Sequence, residues 1–327
     1  KLTLQYADYS IWQRTHFDGE VLENQLSYWE NKLKGVTTLS MPTDYMRPTV
    51  QSTEGAIVEM SLSQELGIAI HKLCESEGVT SFMFLLSAFK VLLSRYSGQD
   101  DICIGTPIAN RLTPEVENIV GFFVNTLVMR ASVSASLTAR EHIARTKETA
   151  LSAYAHQDVP FEQLVEVLKP PRSLSYSPLF QVMFVYQNNP DESMRLGDLD
   201  ITPMSSSGIS AKFDLTLTMR EHDGLMEGYL TYNTDLFDED SMARFSRHYQ
   251  GVLSAIAQEP DRPLWSIPVV RGAEQEQIVR LWNKTEKAFD QHQCVHTLFE
   301  RQVVRTPNAP VLMFEDQILT YQELNER

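Results

Sequence analysis

The side chains best able to do chemistry fall in four short segments. Arg111 closes TPIANR (106–111), Asn125 and Thr126 close VGFFVNT (120–126), His156 and Asp158 open HQDVPFE (156–162), and Arg172 opens RSLSYSPLF (172–180). A lone histidine needs an orienting partner before it can move protons. The eight histidines include no adjacent pair, and none has an aspartate four residues later. Cys74, Cys103 and Cys294 are widely spaced and form no CxxC pair, which argues against a zinc centre and for a reduced, cytoplasmic setting. A GxSxG elbow, a phosphate-binding Walker loop and a GxGxxG turn are also absent from the sequence.

Each candidate also has a local use. Asp158 stands two residues before Pro160, placed to cap the helix expected from there. His156 ends the preceding helix, where it either satisfies the last carbonyls or faces a cleft. Asn125 and Thr126 put polar groups into an apolar run and must find partners once buried. Arg111 could equally be a solvated surface cation.

The elements that must position these residues follow from periodicity. Leu26, Trp29 and Leu33 recur at helical steps before Gly35, and PTDYMRPTVQSTE (42–54) reads as a crossing loop. A strand at 56–60 precedes two helices, one capped by Ser63 and stopped by Gly78, the other capped by Thr80 and apolar on most sides. Strands are expected at 101–108 and 121–130, then a helix from the capping box Thr138/Glu141 to Tyr154 and another from about Pro160 to Pro170. Alternation at 179–187, 212–220 and 225–232 predicts strands, the last two joined by an Asp223-Gly224 turn, before an amphipathic helix over 239–257.

Composition sets outer limits. The chain has 327 residues, 43% of them hydrophobic and 22% charged, enough for a sizeable core. Its 28 Lys+Arg against 43 Asp+Glu leave a net charge of −15, the wrong sign for gripping nucleic acid or anionic lipid. No apolar run reaches the roughly 20 residues that span a bilayer, so neither partner class is expected. Both ends read as cut from a longer chain: the first residue is Lys1, and the capping box Thr320/Glu323 starts a helix close to the final Arg327.

YADYSIW (6–12), VGFFVNTLVMR (120–130), HQDVPFE and RSLSYSPLF stand in the order found in nonribosomal peptide synthetase condensation domains, and the chain resembles that family's C-terminal part. VHTLFERQVVRTP (295–307) and LTYQEL (319–324) resemble the opening of the adenylation (AMP-binding) domain that follows. The resemblance implies an α/β fold: a chloramphenicol-acetyltransferase-like lobe with a mixed sheet flanked by helices. It divides the chain into the end of an N-terminal lobe (1–45), a C-terminal lobe (46–270), a linker (271–293) and the start of an adenylation domain (294–327). Apolar surface near Tyr6 to Trp29 is expected to lie uncovered without the partner lobe.

The family reaction joins carrier-bound aminoacyl or peptidyl thioesters through an amide, using a His-His-x-x-x-Asp-Gly motif that this sequence does not contain. The resemblance therefore implies no catalytic residue here and an inactive fragment. Asn125, Thr126 and His156 become candidates for lining the substrate tunnel, while Arg111, Asp158 and Arg172 become candidates for structural support. Arg111 would brace the aspartate of the paired-histidine motif; at Arg172, Ser173 replaces the acidic residue common next in the family. Implied partners are the missing N-terminal lobe, peptidyl carrier domains on both sides and the adenylation domain. Phosphopantetheine belongs to the carriers, and ATP with Mg belongs to the rest of the adenylation domain. Other readings are a noncatalytic interaction or scaffolding lobe, or a different acyltransferase or epimerisation-type relative.

Overall fold

The computed structural model describes residues 3–111, 113–171, 173–187, 208–222, 224–288 and 294–327, with the backbone of 195–196 and 199–200. Two compact units emerge, Lys1–Arg271 and Gly272–Arg327. Arg172, Asp223 and the 289–293 part of the expected linker lie outside the described residues.

The first unit opens with helices α1 (Tyr6–His16) and α2 (Gly19–Leu33), the latter capped by Asp18. Strand β1 (Glu54–Ser61) leads to α3 (Gln64–Glu77) and α4 (Ser81–Ser97). Ser63 Oγ accepts from Leu66 N–H, Thr80 Oγ1 accepts from Met83 N–H, and Gly78, at φ +60°, ends α3 in a left-handed turn that a β-carbon would strain. Strand β2 (Asp101–Ile108), the short α5 (Pro114–Glu117) and β3 (Asn125–Ser132) follow. Helix α6 (Ala139–Tyr154) has the expected capping box, and α7 spans Phe161–Leu168.

After β4 (Val182–Gln187), the two-residue strands β5 (Arg195–Leu196) and β6 (Leu199–Asp200) pair with each other. Strands β7 (Ile209–Ser210), β8 (Leu215–His222) and β9 (Leu225–Asn233), then helix α8 (Glu239–Gln258), complete the body. β4 starts three residues later than alternation predicts because Leu179 is left-handed, with φ +66°, and breaks the extended run.

The seven-stranded mixed sheet has the order β3-β2-β4-β8-β9-β1-β7. β4 lies parallel to both β2 and β8, while the other neighbours are antiparallel. The β2–β4 junction registers one residue pair, Gly105 with Met183, whereas β4–β8 registers six. A β-carbon on Gly105 would lie 2.3 Å from the Phe180 ring, so the aromatic face packs directly on the backbone at that junction. Helix α4 is buried against α3, α6, α8 and β2, with Phe84, Leu85, Leu86, Phe89, Leu92 and Leu93 wholly inside. Each such side chain contributes roughly 1.5–3 kcal/mol of burial.

Three ionisable features sit within this core. Arg47 forms a two-pronged ion pair with the buried carboxylate of Asp214, anchoring the 42–53 crossing loop to the body. Lys90 on α4 is fully buried with no hydrogen-bond partner for Nζ among the described residues, and burial pushes its ammonium down to about 7. His142 on α6 faces the Ser87 carbonyl at 3.3 Å through Nε2, its Nδ1 has no partner among the described residues, and it is pushed down to about 3, first by burial and then by Lys90.

The second unit begins with α9 (Gly272–Glu276) and a π-turn (Gln277–Leu281), so the first half of the expected linker is helical. Ile278, Leu281 and Trp282 within it are exposed. Helix α10 (Val295–Arg305), the hairpin β10 (Pro310–Phe314) and β11 (Gln317–Thr320), and α11 (Tyr321–Glu326) follow, with Thr320 and Glu323 forming the expected capping box. Among the described residues no single helix is long and apolar enough to cross a membrane; α3 and α4 pass only as a pair bent by 106°.

Candidate functional site

Two of the four segments meet through one side chain. Asn125, at the start of β3, donates from Nδ2 to the Gln157 and Val159 carbonyls, each at 2.8 Å, while Oδ1 accepts from Thr126 N–H at 2.8 Å and Phe161 N–H at 3.1 Å. All four hydrogen-bonding positions of the carboxamide are used, and the side chain is buried. VGFFVNT and HQDVPFE are therefore fastened together. Thr126 stands beside Asn125 on β3, opposite Pro107 of β2.

This geometry corrects the expected role of Asp158. The N-cap of α7 is Pro160, with no side-chain cap of its own, and the first helical N–H is taken by Asn125 from another element. Asp158 instead turns toward α1 and α2, where its only hydrogen bond among the described residues is a long 3.5 Å contact from Gln25 Nε2. Partial burial raises its carboxyl above the usual range, and nearby His16 opposes that effect.

His156 is built into the chain's own packing. Its Nδ1 faces the Ser152 carbonyl at 2.8 Å, its ring stacks on Tyr28 at 3.8 Å and 7°, and its carbonyl accepts from Trp29 Nε1 at 2.8 Å. Trp29 is 1% exposed, so the expectation of uncovered apolar surface fails there: α2 lies on the loop that follows α6. Exposure persists at α1, where Ile11 and Trp12 face outward.

The VGFF residues form no strand. Strand β3 starts at Asn125, and Val120 and Phe122 are 92% and 79% exposed. Gly121 explains the departure, since a β-carbon there would lie 2.2 Å from the Tyr6 ring. Tyr6 lies against this backbone, its hydroxyl donates to the Phe122 carbonyl at 2.9 Å, and Phe123 packs edge-on to it at 5.2 Å. Arg111 stacks its guanidinium on Phe123 at 4.1 Å and donates through Nη1 to the carbonyls of Val116, Glu117 and Ile119, closing the end of α5. It is thus an internal brace of α5, not a solvated cation.

These contacts leave a cavity of about 410 Å³ between α1, α5 and the 155–160 loop. Leu4, Tyr9, Trp12 and Val116 supply apolar wall, and Asp8, Asn110 and Asp158 supply polar groups. Asn110 has φ +52° and a buried Oδ1 without a partner among the described residues. Of the sequence-predicted residues that the structure describes, only Asp158 lines the cavity; Arg111 and Asn125 hold its frame, and His156 packs against α2. Sequence reasoning missed Asn110, for which the one signal was an Asn in a turn, a residue type that tolerates left-handed backbone. Tyr9 and Trp12 entered as part of YADYSIW, a segment that carries the family resemblance, and not as lining residues.

Comparison with known proteins agrees with this arrangement. The model of the condensation domain matches residues 1–279. The chain is 46% identical to a linear gramicidin synthase of Brevibacillus parabrevis and 43% identical to malpibaldin synthetase of Mortierella alpina, in both cases over all of this chain and 6% of the relative. Among solved structures, the X-domain from teicoplanin biosynthesis superposes with a TM-score of 0.75 at 30% identity, covering 82% of this chain and 63% of that one. A four-domain nonribosomal peptide synthetase bound to AMP and glycine superposes with a TM-score of 0.75 at 26% identity, covering 93% and 24%. The chain spans 4% to 7% of the length of these and other curated synthetases. With a family match that takes in every element from α1 to α9, this chain belongs to the condensation-domain family.

Proposed function

We propose that this chain is the C-terminal part of a condensation domain whose parent synthetase joins carrier-bound aminoacyl or peptidyl thioesters through an amide bond. The observation that carries the reading is the condensation match over 1–279; within it Asn125 fastens the two loops together, and Asp158 of the second loop lines the cavity. Alone the chain is inactive, because its 327 residues contain no paired histidine to sit beside the attacking amine. Asn125, Thr126 and His156 act here by holding the wall rather than by moving protons.

The reading extends past residue 279. Residues 294–327 are the start of an adenylation domain, supported by full-length similarity to synthetases beyond the limit of the condensation match. Partners are then the N-terminal lobe, the two carrier domains with their phosphopantetheine-borne substrates, and the remainder of the adenylation domain, which would bring ATP and Mg. A second reading, a protein-binding lobe, draws on a similar structure at 30% identity that is a complex of the X-domain with OxyB.

The test is a condensation assay with two loaded carrier domains. No product is expected from this polypeptide alone, and product is expected once a segment bearing the paired-histidine motif is supplied. Turnover by the chain alone would overturn its inactivity; no turnover with a folded complementing segment would favour the protein-binding role.

A further inference from the structure

We propose that the open groove formed by the end of α4, by α8 and by residues 262–270 docks an acidic peptide segment of another protein, one that carries an apolar side chain among its carboxylates. The inference goes beyond the reaction proposed above and stands or falls without it. The groove measures about 890 Å³ and shares no lining residue with the cavity beside α1.

Its charge is opposite to that of the chain. Arg95 and Arg262 line it, and no described lining residue is an Asp or Glu, although the chain as a whole carries −15. The sequence explains the contrast, because 241–258 of α8 and 262–271 contain no acidic residue. Arg271 adds a third guanidinium, which donates through Nε to the Pro268 carbonyl of the same wall at 3.1 Å. Burial and then the charge of Arg262 hold its pKa below the usual value, with Glu259 opposing. The neighbouring acids are engaged elsewhere or stand at the rim. Asp261 pairs with Arg140, Glu259 reaches Arg262 at 3.5 Å from an exposed position, and Asp100 lines a smaller adjoining hollow. Tyr96 and His248, which also line the groove, meet at 2.6 Å. Guanidiniums gathered at one surface favour a carboxylate partner, which each can grip with two N–H groups.

Trp265 is the second observation. Its N–H donates to the Ala135 carbonyl at 3.2 Å and its carbonyl accepts from Arg95, yet the residue is 64% exposed. A large ring displayed from a pinned backbone loses little freedom on binding, and Trp and Arg are the residue types that dominate interface energies. An open groove leaves most of a small molecule in water, whereas a chain segment reaches the guanidiniums and the indole together. Nucleic acid and anionic lipid suit the arginines but are repelled by the rest of an acidic chain, so a short segment is the better match.

The experiment follows fluorescence anisotropy of two labelled, capped peptides, Glu-Glu-Phe-Glu-Glu-Leu and Gln-Gln-Phe-Gln-Gln-Leu, titrated with the full chain at neutral pH. The acidic peptide should bind roughly ten-fold more tightly at low salt, and the gap should narrow as salt rises. Arg262→Gln combined with Arg271→Gln should remove most of that preference and leave the glutamine peptide unchanged; Trp265→Ala should weaken both peptides. All three residues lie outside the core, so the thermal midpoints should hold. If the pair of changes melts early, the two single changes, each losing part of the preference, decide the matter. Absence of binding, equal affinity for the two peptides, or a preference that survives the arginine substitutions would overturn the proposal. So would a self-associated chain that the acidic peptide disperses, because a second copy would then be the occupant.

Discussion

The carboxamide nitrogen of Asn125 lies 2.8 Å from the Val159 carbonyl oxygen, so a side chain of the first loop closes a turn made by the second. Asn125→Ala would leave the Gln157 and Val159 carbonyls and the Phe161 N–H without their partners. It is expected to cost about 2–4 kcal/mol, read as a lower urea midpoint at constant slope. Asn125→Asp should be at least as costly at neutral pH, since a carboxylate cannot donate to two carbonyls.

Lys90 carries a stability cost that can be titrated. The unfolded chain holds this proton up to 10.5, whereas the folded chain releases it above about 7. Between those values the unfolded state binds more protons, so stability rises with pH across that window and is lowest below it. Lys32 strengthens the effect, and Cys103, whose thiol burial pushes up to about 12, cannot offset it as a thiolate. Lys90→Met should gain roughly 2–4 kcal/mol at pH 7. The difference from wild type should shrink toward pH 10.5; a constant difference across guanidinium melts at pH 7 to 10 would contradict this.

His142 acts at the acid end. Its folded value of about 3 lies below the unfolded 6.5, so the unfolded chain binds the extra proton first and stability falls as pH drops from 6.5 toward 3. His142→Gln keeps a donor for the Ser87 carbonyl but removes the titration. Its melting temperature should hold better than wild type between pH 6 and 4.

Gly121→Ala should loosen α1 without unfolding the body, because the new methyl would collide with Tyr6 while the main core is untouched. Hydrogen exchange should show lost protection over 6–16, with α4 and α8 unchanged. Equal protection of α1 in both proteins would mean that the ring and the methyl coexist.

The parts that the sequence made legible are local. Ser63, Thr80 and Thr138 cap helices that begin at the next residue, and Gly78 stops α3, because capping chemistry acts over three or four residues. The misreadings are contacts between distant segments. VGFF looks like strand filler until Tyr6, more than a hundred residues earlier, is seen lying on Gly121. Asp158 is a reasonable cap for α7 by spacing, yet Asn125 arrives from β3 and takes the N–H first. Trp29 was legible as helical, but its burial depends on the His156 carbonyl, which no periodicity reveals.

The single registered pair between β2 and β4 has a mechanical consequence. The edge that carries Asn125 and the loop after β3's partner strand is joined to the rest of the sheet less by a backbone ladder than by the Phe180 ring pressed on Gly105. Tension applied across the strands between β3 and β8 should therefore open the β2–β4 seam first, with the six-pair β4–β8 ladder intact. A pulling trace in which β4 leaves with β2 would place the weak line elsewhere. The molecule thus has a built-in tear line at Gly105 and Met183.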